Sequence, residues 1–181
     1  MSNHKLIFTG PVGVGKTTAI SVLSDIPTVS TDEVASDMTR RKDPRTTVAM
    51  DYGLMNVSET ERIHLYGTPG QERFDFMWDI LTEGGIGLVL LLDNSRTNPL
   101  QDIHFFLGAF REFISRTGVA IGVSRMDVHS QPKISDYYQG LQGFATKPPI
   151  LEVDARNRRD ISLLIQILLY SLDSGLANSN G

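Results

Sequence analysis

The chain has 181 residues and a mass of 20.0 kDa, with 40% apolar and 21% charged residues. That balance suits one globular domain with its own core and excludes a disordered chain. A net charge of −4 and a pI near 5.5 argue against a general coat for nucleic acid or anionic lipid. The absence of cysteine excludes disulfides, thiolate metal sites and cysteine nucleophiles. The longest apolar runs, 86–92 and 161–170, fall well short of the ~20 residues that a bilayer requires. The first residues carry no secretory signal, and neither end carries a lipid-anchor signal. The expectation is one domain over residues 1–181, with a flexible tail from about 173. It would be cytoplasmic, with no direct membrane insertion, and would reach a membrane or a cell pole only through partners.

Taken in order, the pattern alternates strand and helix, which points to a mostly parallel sheet covered on both faces. Lys5-Leu6-Ile7-Phe8-Thr9 is a short apolar run stopped by Gly10 and Pro11. A helix is expected over 16–24, ended by Asp25-Ile26-Pro27. Residues 28–46 are polar and charged and read as a long surface loop with at most a helical turn, a length usually tied to function. Residues 47–54 and 62–66 alternate, and the short connection around 56–59 predicts an antiparallel hairpin. A loop with Pro69 and Gly70 leads to a short helix over 74–81. Then come a buried strand over 85–92, a helix over 100–115, a buried strand over 119–123, and a helix over 134–140. The last strand is placed at 149–153 and the last helix at 160–172. The fold class is α/β, a three-layer sandwich of six strands, one an antiparallel edge, with about five helices.

Gly10-Pro11-Val12-Gly13-Val14-Gly15-Lys16-Thr17 matches the Walker A phosphate-loop pattern in full, between a predicted strand and a predicted helix. Glycine permits positive φ, so successive backbone N–H groups, including that of Val14, can converge on phosphate oxygens at the positive end of a helix dipole. Lys16 supplies a point charge to the β and γ phosphates. Thr17 supplies a hydroxyl to Mg²⁺, and Thr18 follows among the nucleotide contacts. The plainer reading, a Gly-rich turn that happens to carry Lys-Thr, is set aside by spacing and context together. The loop alone does not choose between ATPase, kinase and GTPase.

From Lys5 to about Leu172 the chain resembles the Ras-like small GTPases, which have the phosphate-loop NTPase fold. Thr47-Val48-Ala49-Met50-Asp51-Tyr52-Gly53 resembles the stretch after the first switch loop of Rab-type members. The resemblance gives Thr47 a Mg²⁺-binding hydroxyl, with Thr46 as the competing choice. Gly67-Thr68-Pro69-Gly70-Gln71-Glu72-Arg73-Phe74 resembles the second switch, usually Asp-x-x-Gly-Gln. It implies that the Gly70 N–H meets the γ-phosphate and that Gln71 orients the attacking water. The family's Asp is Gly67 here, a departure shared with bacterial MglA-like GTPases, and Leu65-Tyr66-Gly67-Thr68-Pro69-Gly70-Gln71-Glu72 looks most like that group, which includes the conservon type. Asp51 as a substitute acting through a water is the weaker reading.

Val123-Ser124-Arg125-Met126-Asp127 stands where the family has Asn-Lys-x-Asp. By that resemblance the Asp127 carboxylate accepts from guanine N1–H and the 2-amino group, donors that adenine lacks, and a carboxylate left unpaired rejects the wrong base. Arg125 would cover the base with its stem and planar head. Ser124 is shorter than Asn and reaches the phosphate loop less well. Asp154-Ala155-Arg156 resembles the Ser-Ala-Lys turn, in which the Ala N–H meets guanine O6. Both lie at strand C-terminal ends, where open α/β sheets bind ligands.

Several residues carry weaker readings. Arg40, Arg41, Lys42 and Arg45 form a basic loop, with Arg45 a candidate arginine finger in cis. The histidines at 4, 64, 104 and 129 lack metal-ligand spacing. Asp93 reads as a strand cap. Phe74, Phe76, Met77 and Trp78 read as core first and as a partner face second. The function expected is a GTP/GDP- and Mg²⁺-binding switch with slow hydrolysis, with Gln71, Lys16 and Arg45 as the catalytic candidates. The resemblance adds a Roadblock-fold regulatory partner, and a sensor, motility or polarity complex as the setting. No nucleic-acid partner is expected. The rivals are an ATPase or small-molecule kinase, and a scaffold that holds nucleotide without turnover.

Overall fold

The computed structural model describes residues 2–30, 50–69, 76–145 and 147–178. Among them the strands are β1 (Ser2–Thr9), β2 (Val29–Ser30), β3 (Asp51–Asn56), β4 (Glu61–Gly67), β5 (Gly87–Asp93), β6 (Val119–Ser124) and β7 (Ile150–Glu152). The helices are α1 (Lys16–Leu23), α2 (Phe76–Thr82), α3 (Pro99–Ala109), α4 (Arg111–Arg116), α5 (Ile134–Gly140) and α6 (Arg158–Asn178). The strands form one sheet in the order β2-β3-β4-β1-β5-β6-β7. All neighbours are parallel except the two pairs that flank β3.

The α/β class and the mostly parallel sheet are as expected, with three differences. A seventh strand, β2, lies at the start of the stretch read as loop. Its two residues are too few for any periodicity, and it pairs antiparallel with β3. The antiparallel strand is therefore second from the edge. The helix expected over 100–115 is two helices that meet at Phe110, whose N–H reaches the carbonyls of Phe106 and Gly108 in a tight turn. This gives six helices among the described residues. The last helix runs past Leu172 to Asn178, through residues expected to begin the tail.

Alternation along the central strands builds two cores. Leu6, Phe8, Val89 and Leu91 face one side, with Ala19 and Ile20 of α1 and Ile161, Leu164 and Leu168 of α6. Ile7, Leu88, Leu90 and Leu92 face the other, with Trp78 of α2, Ile103 and Phe106 of α3, Phe113 of α4 and Tyr137 of α5. These strands are buried on both faces, which is why they read as continuous apolar runs. The C-terminal ends of β1, β5, β6 and β7 emerge on one edge of this sandwich, and the loops that follow them carry the site.

Candidate functional site: a nucleotide cleft

The loop after β1 turns at Gly10, Gly13 and Gly15, all with positive φ. At Gly10 a side chain is excluded twice, by φ 147° and by the Leu91 carbonyl oxygen, 2.2 Å from where a Cβ would stand. Gly15, at φ 106°, is the N-cap of α1, and a Cβ there would sit 3.0 Å from the Ala155 Cβ. The phosphate loop and the 154–156 turn thus meet at a position only glycine fills. Lys16 is buried, and its ammonium donates to the carbonyls of Gly10 (2.8 Å) and Pro11 (2.9 Å), which holds the charge inside the curl of the loop.

A cleft of about 770 Å³ opens beside this loop. Its walls bring together Gly13, Val14, Gly15 and Thr18 with Ser124, Arg125 and Asp127, and with Asp154, Ala155 and Arg156. These sequence-expected residues come from three separated segments and line one cavity. Gly10 in the same loop, and Lys16 and Thr17 at the start of α1, do not line it. Thr47, Gly70, Gln71, Arg45, Thr46, Phe74 and the basic cluster at 40–42 lie outside the described residues.

On the loop after β6, Asp127 is exposed in the cleft and makes no hydrogen bond to a described residue. Arg125 has φ 60°, the one described non-glycine residue with positive φ. Its guanidinium pairs with Asp93, which is buried at the end of β5. Asp93 also accepts from the N–H (2.8 Å) and hydroxyl (2.6 Å) of Ser95, so it is the cap expected and in addition an anchor for Arg125. Ser124 is buried, and its hydroxyl donates to the Leu92 carbonyl at 3.0 Å, towards β5 and not towards the phosphate loop. Asp154 accepts from the Arg156 guanidinium at 2.9 and 2.8 Å and from the Arg156 N–H at 2.9 Å. Those bonds, the side-chain ones foremost, lower the Asp154 carboxyl to about 2. The pair ties the two side chains together across the buried Ala155, and the Arg156 guanidinium also feels the charge of Asp127 across the cleft.

At the phosphate end, the Thr17 hydroxyl donates to the Asp51 carboxylate at 2.5 Å. Asp51 is buried at the start of β3 and pairs across the hairpin with Gly67 of β4. A Cβ at Gly67 would stand 3.1 Å from the Asp51 Cβ and 3.2 Å from its Oδ2. The Asp51 carboxylate, on the strand beside Gly67, is thus in direct contact with Thr17. Counting back along the hairpin from its turn would have placed 51 opposite 67. The residues present fit Mg²⁺: hard oxygen donors, one a buried carboxylate that takes the hydroxyl proton of Thr17 and leaves its lone pairs for a cation.

The family model described as "Conserved hypothetical ATP binding protein" matches residues 27–168. The chain belongs to that family. Membership supports nucleotide binding, and the phosphate loop lies just ahead of the matched stretch. The chain is also 32% identical over 99 residues to an uncharacterized protein of Methanocaldococcus jannaschii, an alignment that covers 54% of this chain and 56% of that one. The chain thus spans little more than half the length of this curated relative. No described helix is long and apolar enough to cross a membrane.

Proposed function

We propose that this member of the ATP-binding family is a guanine-nucleotide switch that hydrolyses GTP slowly. The observation that carries the reading is Asp127: an exposed carboxylate in the cleft, with no described hydrogen-bond partner, on the loop whose Arg125 is held by Asp93. An acceptor pair of this kind suits the N1–H and 2-amino donors of guanine, and adenine has no donor at either of those two positions.

In this reading the phosphate-loop amides and Lys16 hold the triphosphate. Thr17 and Asp51, with Thr47, would hold Mg²⁺, whose role is to neutralise charge on the phosphate oxygens. The Gly70 N–H binds the γ-phosphate, Gln71 orients water, and Arg45 adds charge in cis. Catalysis by such a set is positioning and charge stabilisation. The Ras-like, MglA-like resemblance is part of the proposal, as is a Roadblock-fold partner in a polarity, motility or sensing complex. The description of the family favours a second reading, an ATPase built on the same loop.

Calorimetry of the purified protein with Mg²⁺ and each triphosphate separates them. The expected outcome is at least about hundred-fold tighter binding of GTP than of ATP, the discrimination that a hydrogen-bonding site can supply. Equal heats, or ATP favoured, would remove guanine and leave the ATPase. Single-turnover phosphate release then tests Gln71: the Gln71→Leu variant should slow by at least about tenfold, and an unchanged rate removes its role.

A further inference from the structure

Asn94, next to Asp93 at the end of β5, is only 2% exposed, and every polar atom of its side chain is engaged. Its amide nitrogen donates to the carbonyls of His129 (2.5 Å) and Pro132 (3.0 Å). Its amide oxygen accepts from the hydroxyl of Tyr137, a fully buried side chain of α5 (2.7 Å). Its backbone N–H donates to the Ser124 carbonyl at 3.0 Å. One residue therefore grips the start, middle and end of the 124–132 loop, the loop that carries Arg125 and Asp127. None of these atoms touches the cleft, since Asn94 and Tyr137 do not line it.

We infer that Asn94 is a positioning residue for base recognition, acting with Tyr137 to hold the 124–132 loop so that Asp127 meets the base edge. The inference rests on reading the cleft as a purine site. The chemistry is specific to an amide. Two donors face two carbonyls and one acceptor faces a hydroxyl, a pattern that a carboxylate of the same shape reverses at its nitrogen end. Asn94→Asp would oppose carboxylate oxygen to the His129 and Pro132 carbonyls and drive the loop away, with the phosphate loop untouched.

The test measures affinity for GTP and for inorganic triphosphate, both with Mg²⁺, in the wild type, Asn94→Asp and Tyr137→Phe. GTP affinity should fall at least about tenfold in Asn94→Asp and by a smaller factor in Tyr137→Phe, while triphosphate affinity stays within about twofold. Tyr137→Phe keeps the buried ring and removes only the hydroxyl bond, so it answers the question if Asn94→Asp does not fold. Equal losses for both ligands would make Asn94 a merely structural residue and overturn the inference. Undiminished GTP affinity in both variants would overturn it as well. A wild type that binds GTP no better than triphosphate would overturn the purine reading itself, a result separate from any behaviour of the variants.

Discussion

A threonine hydroxyl has one proton and two lone pairs, and at Thr17 the proton goes to Asp51. The direction matters, because a hydroxyl whose proton is taken presents only electron density to whatever else approaches. Asp51→Asn removes the charge and keeps the shape. It should weaken Mg²⁺-dependent nucleotide retention by about 10–100-fold, read as the Mg²⁺ concentration that halves the dissociation rate of a fluorescent nucleotide. Restoring an acid at 67 is expected to harm. The new Cβ would meet Asp51 at 3.1 Å and crowd two carboxylates into one site, so Gly67→Asp should lose about 1–3 kcal/mol in thermal or urea unfolding. Pairing it with Asp51→Ala should recover most of that loss. The contact between Asp51 and Thr17 was illegible from motif matching, which scans along the chain, and it comes into view only with the pairing of 51 with 67 across the hairpin.

The elements that carry the site are tied to one another by a few side chains. Asp25, just past α1, accepts from the Asn56 N–H at the end of β3 (2.7 Å) and pairs with Arg158 at the start of α6 (3.4 Å). Arg158 also donates to the Val22 carbonyl at 2.9 Å. The Asn56 bond leads in lowering the Asp25 carboxyl below its ordinary value. Its contribution to stability is therefore complete above the ordinary carboxyl range and is lost as pH falls through the lowered value. Asp25→Ala should destabilise the protein near neutral pH, by an amount that solvent screening keeps small and that shrinks as pH falls through the lowered value, measured by urea denaturation across pH. The 154–156 turn follows the same sign. The Asp154–Arg156 contacts are lost only as pH falls towards 2, and an NMR titration of Asp154 should show a midpoint near 2. A midpoint near 3.8 would mean that the pair does not form in solution. Element by element, the long buried strands and α5 were plain from their apolar patterns. The break at Phe110 was hidden because Phe106, Phe110 and Phe113 keep an unbroken apolar spacing towards the same core.

On the scale of the molecule, one edge of the sheet collects loops from four parallel strands, and the segments that line the cleft were legible because each sits straight after an apolar strand. What the sequence could not reveal was the support behind them. Asp93 looked like a cap, and Asn94 gave no signal, since its partners are carbonyls some 35 residues away that belong to no motif. A ligand that joins these loops should stabilise the whole domain. At a hundredfold excess over Kd the gain is about 2.7 kcal/mol, so Mg²⁺-GTP should raise the melting temperature by about 5–10 °C and Mg²⁺-ATP by clearly less. Equal shifts would count against guanine. The pairing of β3 with β4 has a consequence at long range. Strand side chains alternate between faces, so a slip of one residue would turn Asp51 away from Thr17 and bring Tyr52 or Met50 in its place. Besides the alternating burial of β3 and β4, the far turn opposes the slip: there the Ser58 hydroxyl accepts from the N–H groups of Thr60 (3.2 Å) and Glu61 (3.1 Å), about 20 Å of strand away. The contact between Asp51 and Thr17 is thus tied, through the register of the hairpin, to a serine at its opposite end.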